Sequence, residues 1–188
     1  VVQVRGLLQG AYSAKTQLMA DSLRTSNIIP NAQPYTVSAY GYTGTETLGA
    51  GRLAVTGNNA VVDWVLVEIR DATTPSTILA RKAALLERDG DVIDATTGSA
   101  DLSFPALPMG NYFVALRHRN HLGVMTEQAV ALSSTPSLVD FTLAATATFG
   151  TQARFLAGAK ALLWAGDATG SNEIIVTGPN NDTSELIG

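Results

Sequence analysis

The stretch Ala60-Val-Val-Asp-Trp-Val-Leu-Val-Glu-Ile-Arg70 decides the fold class. It is rich in β-branched and aromatic residues and holds no Gly or Pro, which is the composition of a strand. Alternation puts Val61, Val65, Val67 and Ile69 on one side and Val62, Trp64 and Leu66 on the other. A strand apolar on both sides has to be covered on both sides.

Working toward the C-terminus, Ile78 to Arg88 and Val92 to Ala95 flank Asp89-Gly90, a dipeptide suited to the left-handed positions of a two-residue hairpin turn. Leu102-Ser-Phe104 follows, then a tight connection through Pro105, Pro108 and Gly110. Asn111 to Arg119 is the next strand, with Tyr112, Val114 and Leu116 on one face. Val124 to Leu132 and Leu138 to Leu143 complete the set. Short strands separated by turn residues predict a mainly β chain, an antiparallel β-sandwich of Ig-like or transthyretin-like type. Toward the N-terminus, Val1 to Leu8 reads as a strand. Thr16 to Thr25 reads as one short helix, capped by Thr16 and carrying Leu18, Met19 and Leu23 as an apolar stripe. The Pro30 to Gly51 segment reads as irregular loop. Three regions follow: an N-terminal extension over 1–50 that packs on the sandwich or on a neighbour, a sandwich core over 51–145, and an Ala/Gly/Thr-rich C-terminal extension over 146–188.

Composition narrows the function classes. Of the 188 residues, 46% are hydrophobic and 15% charged, the latter well below the roughly 25% of an average soluble protein. The length is enough to bury a real core. The absence of Cys excludes disulfides, Cys-ligated zinc, iron–sulfur clusters and thiol nucleophiles. A net charge of −4 and a pI near 5.0 offer no basic face to nucleic acid. Mean hydropathy is high at +0.16, yet no run of about 18 apolar residues exists to span a bilayer. The richest window, Phe155 to Ala165, is broken by Lys160. The opening Val1-Val2-Gln3-Val4 has neither a charged leader nor an apolar targeting run, so the chain is expected to be a mature or excised segment.

Phe104-Pro-Ala-Leu107-Pro108-Met-Gly110-Asn-Tyr112-Phe-Val114 resembles the F-x-x-L-P-x-G-x-Y-x-V signature of transthyretin-like and collagen-adhesin-type surface modules. A longer series runs in order along the chain. It includes Leu8-Gln-Gly-Ala-Tyr12, Asp21-Ser-Leu-Arg24, Val55 to Val65, Arg81 to Gly90, Arg117-His-Arg-Asn-His-Leu-Gly-Val-Met125 and Trp164-Ala-Gly-Asp167. This series is similar to a module near the C-terminus of large secreted and cell-surface proteins of Bacteroidota. The resemblance implies an extracellular, non-enzymatic β-sandwich. It also implies that the last motif continues into a calcium loop of the dockerin type, D-x-N-x-D-G. Here that loop is degenerate: Asp167 is kept, Thr169 and Ser171 stand where Asn and Asp are expected, and Asn172 replaces Gly. Calcium takes several hard oxygens, so a polar turn without metal is the simpler reading, with calcium the only cofactor implied.

Other side chains invite chemistry. His118 and His121, three apart, come together only if a turn follows Arg119, and no third metal ligand lies nearby. Arg117 and Arg119 share a strand face, to pair with acids on a neighbouring strand or to contact an anionic glycan. Tyr35, Tyr40 and Tyr42 lie along a Gly/Thr/Ser loop and would make a sugar-stacking platform, unless they simply pack an edge. Asp89 and Asp91 bracket a turn, which makes them solvent-facing rather than a catalytic pair with Glu68 or Glu87. No nucleophile elbow, zinc-protease motif or phosphate-binding glycine loop is present. Asn181-Asp-Thr183 is an N-glycosylation acceptor sequon, and Asp21-Ser22-Leu23 resembles a short bacterial O-glycosylation motif.

Two functions are expected from this. The first is a structural or adhesive subunit that self-assembles into a filament or layer. Its terminal apolar segment, with Val1, Val2, Val4, Leu7 and Leu8, either pairs within its own domain or completes a neighbour's sheet. The second is a carbohydrate-binding module. An enzyme is not expected, and neither nucleic acid nor a membrane span is expected as a partner.

Overall fold

The computed structural model describes residues 1–37, 39–169, 171, 173–175, 177 and 182. The chain is mainly β. In order it forms β1 (Val2–Arg5), β2 (Tyr12–Ser13), β3 (Leu18–Met19), α1 (Ser22–Thr25), 3-10 turns at Arg52–Ala54 and Gly57–Asn59, β4 (Val61–Asp71), β5 (Ile78–Glu87), β6 (Asp91–Ile93), β7 (Gly110–His118), β8 (His121–Met125), β9 (Val130–Leu132), β10 (Ser137–Asp140), β11 (Phe155–Ala157) and β12 (Lys160–Leu162). The order in the principal sheet is β10-β1-β6-β5-β4-β7-β8. β7 is shared on its outer edge: β8 pairs Ala115 to His118, and β9 pairs Gly110 to Tyr112.

The sheet is mixed and curled rather than purely antiparallel, because β1 runs parallel to β10, from Val2↔Ser137 to Arg5↔Asp140. On its other side β1 is antiparallel to β6, through Val4↔Val92 and Arg5↔Asp91. The hairpin at Asp89-Gly90 forms, but through a three-residue loop, Arg88 to Gly90, in which Gly90 is left-handed at φ +100° and Asp89 is not. A Cβ there would sit 2.9 Å from the Gly6 carbonyl oxygen, so this turn and the end of β1 fit only around glycine. At the far end of the β4–β5 hairpin, the Asp71 carboxylate accepts the amides of Thr73 and Thr74 at 2.8 Å each.

β4 is covered on both faces, and a bulge refines the expected alternation. Val65, Val67 and Ile69 point into the curl with Val2, Val4, Leu86, Leu116 and Phe141. Trp64 and Leu66 point outward, beneath Ile29, Tyr35 and Tyr40 of the N-terminal extension. The register shifts between Val61 and Asp63. That irregularity sends Val62 into the inner cluster and Val61 into the outer one, the reverse of simple alternation.

The helix predicted over Thr16 to Thr25 is largely replaced. Leu18 and Met19 form a strand against Tyr12–Ser13, and only Ser22–Thr25 makes a helical turn. Met19 is fully buried and its amide bonds the Arg88 carbonyl at 2.8 Å, so a tertiary partner overrides the local stripe. The segment after β10 packs on the same sheet. Leu163 donates to Leu7 O at 2.7 Å, Ala161 to Thr142 O at 2.9 Å and Leu122 to Trp164 O at 2.8 Å. Arg154 fastens the bend by donating to the carbonyls of Phe141 and Leu143 at 2.8 and 2.9 Å. No helix among the described residues is long and apolar enough to cross a membrane.

Candidate functional site

The β4 bulge, the β7–β8 turn and the N-terminal segment meet in one buried polar cluster. Asp63 is 2% exposed. Its two carboxylate oxygens accept Arg119 Nη2 at 2.7 and 2.8 Å, and Oδ2 lies 3.2 Å from His118 Nε2. The turn at Arg119–Asn120 brings the two histidines together, with their Nδ1 atoms 3.0 Å apart. His118 Nδ1 also accepts the Asn120 amide at 3.2 Å, and His121 Nε2 accepts the Gly10 amide at 3.2 Å.

These contacts assign the tautomers. His118 carries its proton on Nε2 and gives it to Asp63, whereas His121 carries its proton on Nδ1 and gives it to His118. Every ring nitrogen thereby has a partner, so the pair is a hydrogen-bonded strut rather than an open metal site. Burial, with His118 alongside, pulls the His121 pKa down to about 3. Burial alone would raise Asp63, but the bonds from His118 and Arg119 outweigh it and hold the carboxyl below its usual range.

A second cluster lies five residues further along β4, on the outward face that carries Trp64 and Leu66. Glu68, whose side chain is 1% exposed, is held by Arg70 Nε at 3.0 Å and Nη2 at 2.5 Å. Arg81 and Arg117 approach its other oxygen at 3.6 and 3.8 Å. The Arg117 guanidinium also stacks 4.8 Å above the Tyr40 ring. Both arginines singled out in the sequence therefore meet acids on β4: Arg117 faces Glu68 and Arg119 faces Asp63.

The tyrosine platform is corrected. Tyr35 is fully buried and donates to Trp64 O at 2.8 Å; Tyr40 is buried and donates to His118 O at 3.2 Å. Their rings meet edge to face at 5.0 Å. Burial raises Tyr35 well above its ordinary pKa and Tyr40 to about 12. Tyr42 is half-buried against Glu46. The Tyr35 and Tyr40 rings thus serve as the outer lid of β4 and present no open face to a sugar.

Val2, Val4, Leu7 and Leu8 are buried and Val1 is half-buried, all engaged with this chain's own sheet. Ser22 is exposed at the start of α1. Asn181 lies outside the described residues.

In the degenerate loop, Asp167 Oδ1 accepts the Ser171 amide at 2.9 Å, while the Ser171 hydroxyl donates to Glu173 O at 3.2 Å. Thr169 gives both its amide and its hydroxyl to Asp182 Oδ1, at 2.9 and 3.0 Å, and Ile175 donates to Asp182 Oδ2 at 2.7 Å. Both hydroxyls are thus turned onto protein acceptors, and the carboxylates onto backbone N–H groups. The described residues do not fit the oxygen cage that calcium requires. Asp182 closes this loop from 13 residues beyond Thr169, and no short motif marks it in the sequence. Glu87, Asp89 and Asp91 also converge, within 4.8 Å of one another. Asn59 bonds Glu87 at 3.1 Å and Arg5 pairs with Asp91 at 2.5 Å, which makes the group part of the turn's own packing.

A groove of about 330 Å³ lies across the β7–β8 edge, lined by Arg70, Arg117, Met125, Phe149, Gly150 and Thr151 among others. No protein-family model, curated protein or solved structure matches this chain.

Proposed function

We propose that this chain is a non-enzymatic structural or adhesive module of the extracellular or cell-surface environment, and that it self-assembles by exchange of β1. The location rests on the sequence resemblance to surface modules, and so does assignment of the curled sheet to the Ig-like or transthyretin-like sandwiches. The observation that carries the assembly reading is the position of β1. It has no hairpin partner and sits between β6 and β10, strands distant from it in sequence. Withdrawing it leaves a slot with an unpaired edge on either side. A copy of the same strand from a neighbour refills that slot with identical hydrogen bonds and the same buried Val2 and Val4. Exchange of an identical element is a low-cost route to association, and head-to-tail exchange that does not close makes a filament. The buried charged clusters favour a structural role, since each buried carboxylate is paired with arginine: Asp63 with Arg119, and Glu68 with Arg70.

The test uses the absence of native cysteine. Arg5 and Asp91 are paired across β1 and β6 and about a third exposed, so the double variant Arg5→Cys/Asp91→Cys reports where β1 sits. Oxidising concentrated protein should give a ladder of covalent oligomers on a non-reducing gel. A disulfide that stays within single chains at every protein concentration would remove the proposal.

A further inference from the structure

We propose that the segment from Gln9 to Leu18 is a strap latched down by His121, and that acid releases the latch while the rest of the sheet stays folded. This goes beyond the assembly reading and does not depend on it. The strap hangs between two anchors. Leu8 before it and Met19 after it are both buried; the Leu8 amide donates to Met19 Sδ at 3.2 Å, and the Met19 amide donates to Arg88 O at 2.8 Å. Between them no residue from Gln9 to Leu18 is buried, and the segment folds back on itself through β2 and β3. A segment with so little burial can open without taking the core with it.

Three bonds hold the strap near its start. Gln9 donates its amide to Leu163 O and accepts the Ala165 amide on Oε1, each at 3.0 Å, and the Gly10 amide donates to His121 Nε2 at 3.2 Å. Only the last of these can be switched by a proton, because it needs a bare Nε2. Once that nitrogen is protonated, N–H faces N–H and the bond becomes a repulsion. A cavity of about 300 Å³ adjoins the ring, lined by Leu8, Gly10, Ala11, Val62, His118 and His121 among others. It gives water room to accept the new Nε2–H when Gly10 moves off. The ionisable groups on the β4 and β7–β8 side are Asp63 and Arg119, bonded to each other, and His118, which takes the His121 Nδ1 proton. On the α1 side stands Asp21, engaged by Arg24 and Arg88. The strap carries Lys15 at its exposed tip, and residues 163–165 bring no charge, Asp167 beyond them accepting the Ser171 amide. Burial keeps the latched ring neutral, with its pKa down at about 3, whereas a ring opened to water takes its proton near the ordinary 6.5.

The experiment is native-state amide hydrogen exchange on the whole chain at pH 7.5 and 5.0, read as protection factors and repeated in sub-denaturing urea. Protection at Gly10 and Gln9 should fall roughly thirtyfold between the two pH values, since pH 5.0 lies 1.5 below the ordinary 6.5. It should do so independently of urea, the mark of a small opening, while Val67 and Leu116 stay more protected and respond to urea. His121→Gln should abolish the fall at Gly10 and Gln9. The inference is overturned by Gly10 protection that is equal at both pH values, or by Gly10 exchanging in step with Val67 and with the same urea dependence. Both of those outcomes are read on the parent chain alone, so they decide even where the variant does not fold. A fall that persists in folded His121→Gln overturns it as well.

Discussion

Lowering the pH from 7.5 to 5.0 should destabilise this protein through His121. His121 is buried and neutral, with Nε2 accepting the Gly10 amide and Nδ1 donating to His118. A second proton would set N–H against N–H at Gly10 and add charge to a buried site. Its pKa accordingly falls from an ordinary 6.5 to about 3. The unfolded chain therefore binds the proton first, and stability declines as pH drops below about 6.5, down to about 3. Each unit of pH below the unfolded pKa removes about 1.4 kcal/mol, so the loss at pH 5.0 is about 2 kcal/mol. That is a large part of the ~5–15 kcal/mol of a typical domain. Asp63 acts in the same direction only at lower pH, since its pKa lies below the ordinary 3.8. Glu87, raised by burial, works the opposite way. The comparison is between the parent chain and His121→Gln, by urea unfolding at pH 7.5, 6.0, 5.0 and 4.5; Gln keeps an acceptor for Gly10 but does not titrate, and Glu87 is common to both chains. Relative to the parent, the variant should escape a loss of about 2 kcal/mol at pH 5.0 and about 2.7 kcal/mol at pH 4.5. Parallel curves for the two chains would refute the tautomer assignment, as would an NMR titration midpoint for His121 near 6.5.

Two further outcomes follow from the packing. Trp64→Ala empties the fully buried site beneath Tyr35 and should cost about 3–5 kcal/mol in chemical denaturation, with earlier proteolytic cleavage in the 29–48 segment that covers it. Asp182→Ala releases the amides of Thr169 and Ile175, so their hydrogen exchange should speed up while that of Val65, Val67 and Leu116 in the core is unchanged.

What the residues revealed in advance divides along sequence distance. The two-faced strand around Trp64 and the hairpin at Asp89-Gly90 were legible because strand composition and turn chemistry are local. So was the Tyr112-Val114-Leu116 strand. The Val61/Val62 exchange was not, because a bulge comes from the partner strand's register. The Leu18-Met19-Leu23 stripe fits a helix on its own spacing, and only the Arg88 carbonyl, 69 residues away, draws Met19 into a strand instead. Tyrosines in a polar loop read equally as a platform or a lid, and the outward face of β4 makes Tyr35 and Tyr40 a lid. The meeting of His118 and His121 was conditional on a turn, which forms. Their neighbours Asp63 and Gly10 come from distant elements and had no local signal, and the same holds for Asp182 in the tail loop.

The parallel pairing of β1 with β10 also has a consequence in time. Val2 leaves the ribosome before its partner Ser137 by 135 residues of synthesis, roughly 7–27 s at about 5–20 residues per second. The β6 strand is available sooner but contacts only Val4 and Arg5. Through this interval the first strand is an apolar segment with most of its backbone groups unanswered, and the sheet cannot close. The principal sheet is thereby kept unlocked until β10 has been made, so native pairing of β1 is a late event of synthesis whatever the rest of the sheet does earlier.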